Sequence, residues 1–307
     1  MGTPEFAVPS LQILMSGDDP VVGVVTQPDQ PAGRGMALRA PPVKKLAEAH
    51  RLPVFQPVKL RVPGVLERLQ SWQPDLIIVA AYGRILPNAI LTLPPYGCIN
   101  VHASLLPKYR GAGPIQWAIA NGETETGVTI MQISEQMDAG DILLKKVMPI
   151  TPTDTGGSLH DKLARLGAEA LREALRLLKE GQLTARPQNE AEVTSAPLIT
   201  KEDGRIDWSL AAATIERRVR AFNPWPSAYT MFNGKLLKIF AAHVEHVLRF
   251  SQAVPGAIVE VTPVSVSVAT GDGVLTLLEV QLEGKKRLPV EEFLRGHHIA
   301  PGLVLGR

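Results

Sequence analysis

Residues 100–111 read Asn-Val-His-Ala-Ser-Leu-Leu-Pro-Lys-Tyr-Arg-Gly, and two of them carry side chains suited to chemistry on a carbonyl. A histidine near neutral pH can give or take a proton, and a carboxamide N–H can donate to an oxygen on which negative charge develops. Asn100 and His102 stand two residues apart. On a strand that spacing puts both side chains on one face. The pair suits acyl transfer without a metal. The same spacing also fits a histidine with a structural role at a strand end, so spacing alone leaves both readings open.

The surrounding elements must place that pair. Up to about residue 180, short apolar runs at 21–26, 53–55, 75–81, 97–102, 127–133 and 142–149 alternate with helical stretches at 42–50, 65–72, 114–120 and 158–180. Alternation of this kind predicts an α/β domain with a doubly wound, Rossmann-like parallel sheet. Asn100 and His102 then lie at the carboxyl end of a strand, where open α/β sheets bind ligands. In the longest helix Leu159, Leu163, Leu166, Leu171 and Leu175 form one apolar packing stripe, with Ser158 as its cap and Gly181 as its stop.

From Thr184 to Gly204 the periodicity fades, which predicts a linker between domains at 1–183 and 205–307. Beyond it, one amphipathic helix at 212–222 precedes five short strands at 228–232, 236–241, 257–261, 265–269 and 274–282. Asn233-Gly234 is a hairpin signal, and Gly271-Asp272-Gly273 marks another turn. The pattern predicts a small OB-like β-barrel. Trp208 and Trp225 read as packing residues of this region.

Composition narrows the chemistry. The 307 residues are 45% apolar and 20% charged, which excludes a wholly disordered chain. The single cysteine, Cys98, excludes a disulfide framework and a multi-cysteine metal site. His243 and His246, and the pair His297-His298, have no third ligand in the right context, so no metal is expected. No apolar run reaches a membrane span, and a monomeric cytoplasmic protein is expected. The net charge of +2 hides an asymmetry. The part from Arg205 onward holds 12 basic and 9 acidic residues, leaving 20 against 21 before it.

The run from Asn100 to Gly111, followed by Ala-Gly-Pro-Ile-Gln, resembles the signature of the folate-dependent formyltransferases. Further matches run almost end to end: Gly2-Thr-Pro-Glu-Phe-Ala, Thr26-Gln-Pro-Asp-Gln-Pro-Ala-Gly-Arg-Gly35, Ala81-Tyr-Gly, Met137-Asp-Ala-Gly-Asp141 and Phe222-Asn-Pro-Trp-Pro226. The second and last of these point to the tRNA-directed branch. The resemblance implies formyl transfer from 10-formyltetrahydrofolate to the α-amine of methionyl initiator tRNA. It places the catalytic set on Asn100, His102 and Asp138, and folate contact on Ser104, Leu105, Leu106 and Pro107. A related enzyme acting on a small amine or a nucleotide sugar, and a non-catalytic RNA-binding homologue, are the rival readings.

Basic residues supply candidate tRNA contacts. The stretch from Asp29 to Lys45 holds Arg34, Arg39, Lys44 and Lys45 against one acid, and Arg217, Arg218 and the run Lys285-Lys286-Arg287 lie in the second domain. Cationic side chains of this kind can follow a phosphate backbone. In relatives a buried apolar strand runs directly into the Gly-Thr-Pro-Glu-Phe-Ala motif. Here only Met1 precedes Gly2, which implies a mis-assigned start or low stability.

Overall fold

The computed structural model describes residues 1–32, 37–245 and 253–306. The chain divides into two compact units. The first comprises Met1–Pro114, Glu125–Pro149 and His160–Ala196; the second comprises Ile115–Thr124, Ile150–Leu159 and the chain from Pro197 onward.

In chain order the first part carries α1 (Val8–Met15), β1 (Val24–Val25), β2 (Gln30–Ala32), β3 (Ala37–Arg39), α2 (Pro42–Ala49), β4 (Val54–Phe55), α3 (Val65–Gln70), β5 (Ile77–Val79), α4 (Asn88–Leu91) and β6 (Cys98–His102). There follow β7 (Arg110–Gly111), α5 (Pro114–Ala120), β8 (Glu125–Gln132), β9 (Ile142–Pro149), α6 (Gly156–Lys179) and β10 (Ser195–Ala196). The later part has α7 (Ala212–Ala221), β11 (Ala228–Phe232), β12 (Lys235–Glu245), β13 (Ile258–Val261), β14 (Val266–Ala269), β15 (Val274–Leu282), β16 (Leu288–Pro289) and α8 (Val290–Gly296).

The sheet of the first unit is mixed rather than all parallel. β1 pairs with β4 and β5 with β6 in parallel, whereas β8 is antiparallel to both β6 and β9. The connection between β8 and β9 spans 133–141. That is too short for a parallel crossover, which needs a dozen or more residues, so the strands must turn back on each other. Met1 and Gly2 lie between β1 and β5: the Gly2 N–H bonds the Val25 carbonyl, and the Ala80 N–H bonds that of Met1.

Helix α6 begins two residues before the expected start. Its cap is Thr155 rather than Ser158. The Thr155 hydroxyl accepts from the Ser158 N–H at 3.1 Å, and the Ser158 hydroxyl accepts from the Thr155 N–H at 3.0 Å. This reciprocal pair is a capping box with serine in the distal position. Along its buried face, Gly167 packs against Val101 and Val128 of the sheet. Val101 separates Asn100 from His102, so this helix sets the height of the strand that carries them.

The expected linker is divided between the units. Residues 184–196 belong to the first, because Arg186 exchanges both backbone hydrogen bonds with Ile142 and β10 pairs in parallel with β7. In return, 115–124 and 150–159 belong to the second unit. There the Trp117 ring meets Phe222 edge-on at 6.0 Å, and Arg220 donates to the Asp154 carbonyl.

The second unit is an antiparallel sheet in the order β11, β12, β15, β14, β13, with β16 beside β15. Residues 302–306 bond 256–258 on one side, and the Gly306 N–H bonds the Met231 carbonyl on the other. These bonds carry the sheet from β13 round to β11, the closure that an OB-like barrel needs. Asn233 and Gly234, with φ of 49° and 73°, form the two-residue turn between β11 and β12. Trp208 is buried and donates to the Thr230 hydroxyl at 3.1 Å. Trp225, expected inside, is 53% exposed, because Phe222, Pro226 and Ser227 take the buried positions around it.

Gly127 tests the seating of the sheet. A Cβ there would lie 2.0 Å from the Lys146 carbonyl oxygen and 2.6 Å from a Leu105 methyl. Gly127→Ala is expected to destabilise by about 1–3 kcal/mol, as overpacking does. A lowered urea midpoint at unchanged m-value would show it.

Candidate active site

β6 supplies the two side chains read from the sequence. Cys98, Asn100 and His102 share one face of it, because side chains alternate along a strand. Cys98, at the buried start of that face, points its thiol at the Ile90 carbonyl, and burial pushes its pKa up to about 12. It is therefore no nucleophile at neutral pH. Asn100 is half-buried, and no protein group is hydrogen-bonded to its carboxamide among the described residues. His102 is buried, with its Nε2 3.0 Å from the Tyr109 carbonyl. A carbonyl only accepts, so this contact assigns a proton to Nε2. In the neutral ring Nδ1 is then the nitrogen without a proton, and it faces Asp138 Oδ1 at 3.6 Å.

Asp138 lies on the β8–β9 connection, in the left-handed region at φ 52°. Aspartate tolerates that region better than most residues. Its second carboxylate oxygen accepts the Gly111 N–H at 2.9 Å. The arrangement thus joins three stretches: a strand end, the loop after it and the β8–β9 connection. Chemically it offers an amide donor, an imidazole that can exchange a proton at Nδ1, and a carboxylate beside that nitrogen.

Of Ser104, Leu105, Leu106 and Pro107, expected to contact folate, three have buried side chains. The side chains of Ser104 and Leu106 have no exposure and that of Pro107 is buried, leaving Leu105 as the half-exposed one. Ser104 donates to the Lys108 carbonyl at 2.6 Å. Thr129 on β8 accepts from the Leu106 N–H and donates to the Ser104 carbonyl. These bonds hold the loop in place.

The expected tRNA contacts are also sorted by the structure. Arg34 lies outside the described residues. Arg39, Lys45, Lys285 and Lys286 are exposed, and Arg218 is half-buried. Lys44 is held by both oxygens of Asp29, at 2.9 and 2.8 Å. Arg217 lies against Gly122 and donates to the Thr214 hydroxyl at 3.2 Å. Arg287 pairs with Glu279 and sits 4.2 Å over the Phe240 ring. Lys44, Arg217 and Arg287 therefore already have acceptors or packing partners within the protein.

Sequence reasoning missed the residues that support the site. They are Thr129, Thr194 and Gln188, whose roles depend on partners 23 to 85 residues away. The hint available was that the fading segment 184–204 kept polar side chains among its prolines.

Residues 1–175 match the family described as formyl transferase, and residues 198–298 match its C-terminal domain. The chain belongs to the formyl transferase family. The methionyl-tRNA formyltransferase of Geotalea uraniireducens is 50% identical over all of this chain and 97% of its own length. That of Alkaliphilus oremlandii is 49% identical over all of this chain and 98% of its own. Among solved structures, the N-formyltransferase from Helicobacter canadensis, in complex with folinic acid and dTDP-3-aminofucose, superposes with a TM-score of 0.66 at 17% identity. The match covers 94% of this chain and 97% of that one. The likeness to that formyl transferase is one of fold.

Thr129 gives this site a test of its own. Thr129→Val keeps the shape but leaves the buried Leu106 N–H without its acceptor, a loss that costs about 1–3 kcal/mol. A lower urea midpoint is expected, and an unchanged one would remove Thr129 from the scaffold.

Proposed function

We propose that this formyl transferase moves the formyl group of 10-formyltetrahydrofolate to the α-amine of methionine on initiator tRNA. What carries the choice of acceptor is identity near 50%, along essentially the whole chain, to proteins named methionyl-tRNA formyltransferase. The fold shared at 17% identity with an N-formyltransferase in complex with dTDP-3-aminofucose carries no such weight.

The chain's own groups suit the reaction. Attack by a neutral amine on the formyl carbon puts negative charge on the formyl oxygen and positive charge on nitrogen. Asn100, whose amide has no protein partner among the described residues, donates to that oxygen. One such donor is typically worth about 3–4 kcal/mol. Asp138 takes the proton that the attacking nitrogen sheds, directly or through a water. His102, fixed at Nε2, relays through Nδ1 the proton that Asp138 has accepted, and the departing folate nitrogen receives it. General acid–base help of this kind contributes roughly 100- to 10,000-fold.

The exposed cations Arg39, Lys45, Lys285 and Lys286 are the tRNA-facing candidates, with Arg34 proposed from sequence alone. Leu105 is the member of its loop left to meet the folate. No helix among the described residues is long and apolar enough to cross a membrane. A monomer working in the cytoplasm, without a metal, completes the reading.

The test is formylation of charged initiator tRNA against small amines and nucleotide-sugar amines, with 10-formyltetrahydrofolate as donor. Activity on the tRNA is expected, with Asn100→Ala lowering kcat about 100- to 1,000-fold. His102→Ala is expected to cost at least 100-fold. Activity confined to the small amines would replace the proposed acceptor, and tRNA binding that His102→Ala leaves alone, without formyl transfer, would make the chain a binding protein.

A further inference from the structure

Gln188 lies in the segment 184–196 that folds back on the first unit, and all of its side-chain polar atoms are used there. Its Nε2 donates to the carbonyls of Asp138 at 2.7 Å and Gly140 at 2.8 Å. Its Oε1 accepts from Arg110 Nε at 3.0 Å and from Arg110 Nη2 at 2.9 Å. The Arg110 guanidinium reaches on to Glu190 at 2.8 Å and holds that carboxyl below its ordinary pKa by hydrogen bonding.

One carboxamide therefore joins the two loops that define the Asp138 carboxylate. On one side is the turn in which Asp138 has φ 52°; on the other is Arg110, followed by the Gly111 whose N–H the carboxylate accepts. The neighbouring chain reinforces the second loop. The Thr194 hydroxyl accepts the Tyr109 N–H at 2.8 Å, and the Thr194 carbonyl accepts the Arg110 N–H at 2.9 Å. Tyr109 in turn supplies the carbonyl that fixes His102 Nε2.

A left-handed turn on a surface connection has neighbouring conformations within a few kcal/mol. Bonding two of its carbonyls to one planar amide selects a single one. The same amide sets the distance from that turn to Gly111. We propose that Gln188 is a positioning residue for formyl transfer: it touches no substrate, and it fixes the Asp138 carboxylate against His102 Nδ1 and the Gly111 N–H. The proposal rests on the formyl-transfer reading above for its kinetic test and on geometry alone for its spectroscopic one.

Gln188→Glu separates this role from general support. The glutamate keeps the shape and both Arg110 bonds, but it presents an oxygen to the carbonyls of Asp138 and Gly140, which only accept. Three measurements are made on the full chain: the thermal midpoint, steady-state formylation, and the His102 imidazole titration by NMR. The kinetics are run with Asp138 intact and with Asp138→Asn. In the intact background a fall of ten-fold or more in kcat is expected, with KM for both substrates within two-fold. In the Asp138→Asn background the same change is expected to cost less than two-fold, because the residue it acts through is gone. The His102 titration midpoint is expected to move in Gln188→Glu.

Equal losses in the two backgrounds, or an unmoved His102 titration, would overturn the proposal. Should Gln188→Glu fail to fold, Gln188→Met, of similar length and without polar ends, is subjected to the same comparison and judged by the same outcomes. Failure of the wild type to formylate methionyl-tRNA would defeat the acceptor reading, while the His102 titration would still decide the role of Gln188.

Discussion

Asp138 and His102 are 36 residues apart in sequence, and the site depends on holding their side chains within 3.6 Å on backbones of quite different stiffness. His102 stands at the end of a strand paired on both sides. Asp138 stands on a connection in a left-handed conformation. A carboxylate and an imidazole exchange protons usefully only at a defined separation, and rates fall steeply when reacting groups are misplaced by about an ångström. The structure meets that demand by tying the connection down: Gly111 holds the carboxylate and Gln188 the carbonyls behind it. The loop between these groups is secured by Thr129 and Thr194.

This arrangement explains why a stretch with little periodicity folds onto the first unit. Residues 184–196 hold the loops around the site through backbone pairing at Arg186 and at Ser195–Ala196, and through polar side chains between them. Little apolar area is available there, so hydrogen bonds replace it, and buried or half-buried bonds are costly to lose. The stretch reads as a linker because linkers and polar straps share a composition. They differ in what the polar groups bond to, which is a property of distant chain.

Burial sorts the remaining candidates. Cys98 shares a face of β6 with Asn100 and His102 but lies at its buried end, where a thiolate is disfavoured. Ser104 and Leu106 belong to the most recognisable run in the sequence, and both are wholly enclosed. A motif can be distinctive because it builds a site as much as because it touches a substrate. Among the cations the same logic applies: an exposed lysine such as Lys45 or Lys285 is available to phosphate, whereas Lys44 already holds Asp29.

Much of this protein was legible in its residues alone. The Asn-x-His spacing put two functional groups on one face, because side chains alternate along any strand. Apolar runs marked nearly every main strand and the long helix α6, because burial on both faces demands them. The Asn233-Gly234 turn declared itself through two residues that tolerate positive φ. Other features had no local signature. The antiparallel turn of β8 and β9 followed from the length of a connection, and α8 and the antiparallel β2–β3 pair were hidden by short or Pro/Gly-rich sequence. Chain length gave two domains but not the exchange of 115–124 and 150–159 between units. Above all, sequence identified which groups could act, while only the tertiary structure decided their tautomer, partners and exposure. Those properties are set by atoms up to 85 residues away, and a hydrogen bond is determined by where its acceptor sits in space.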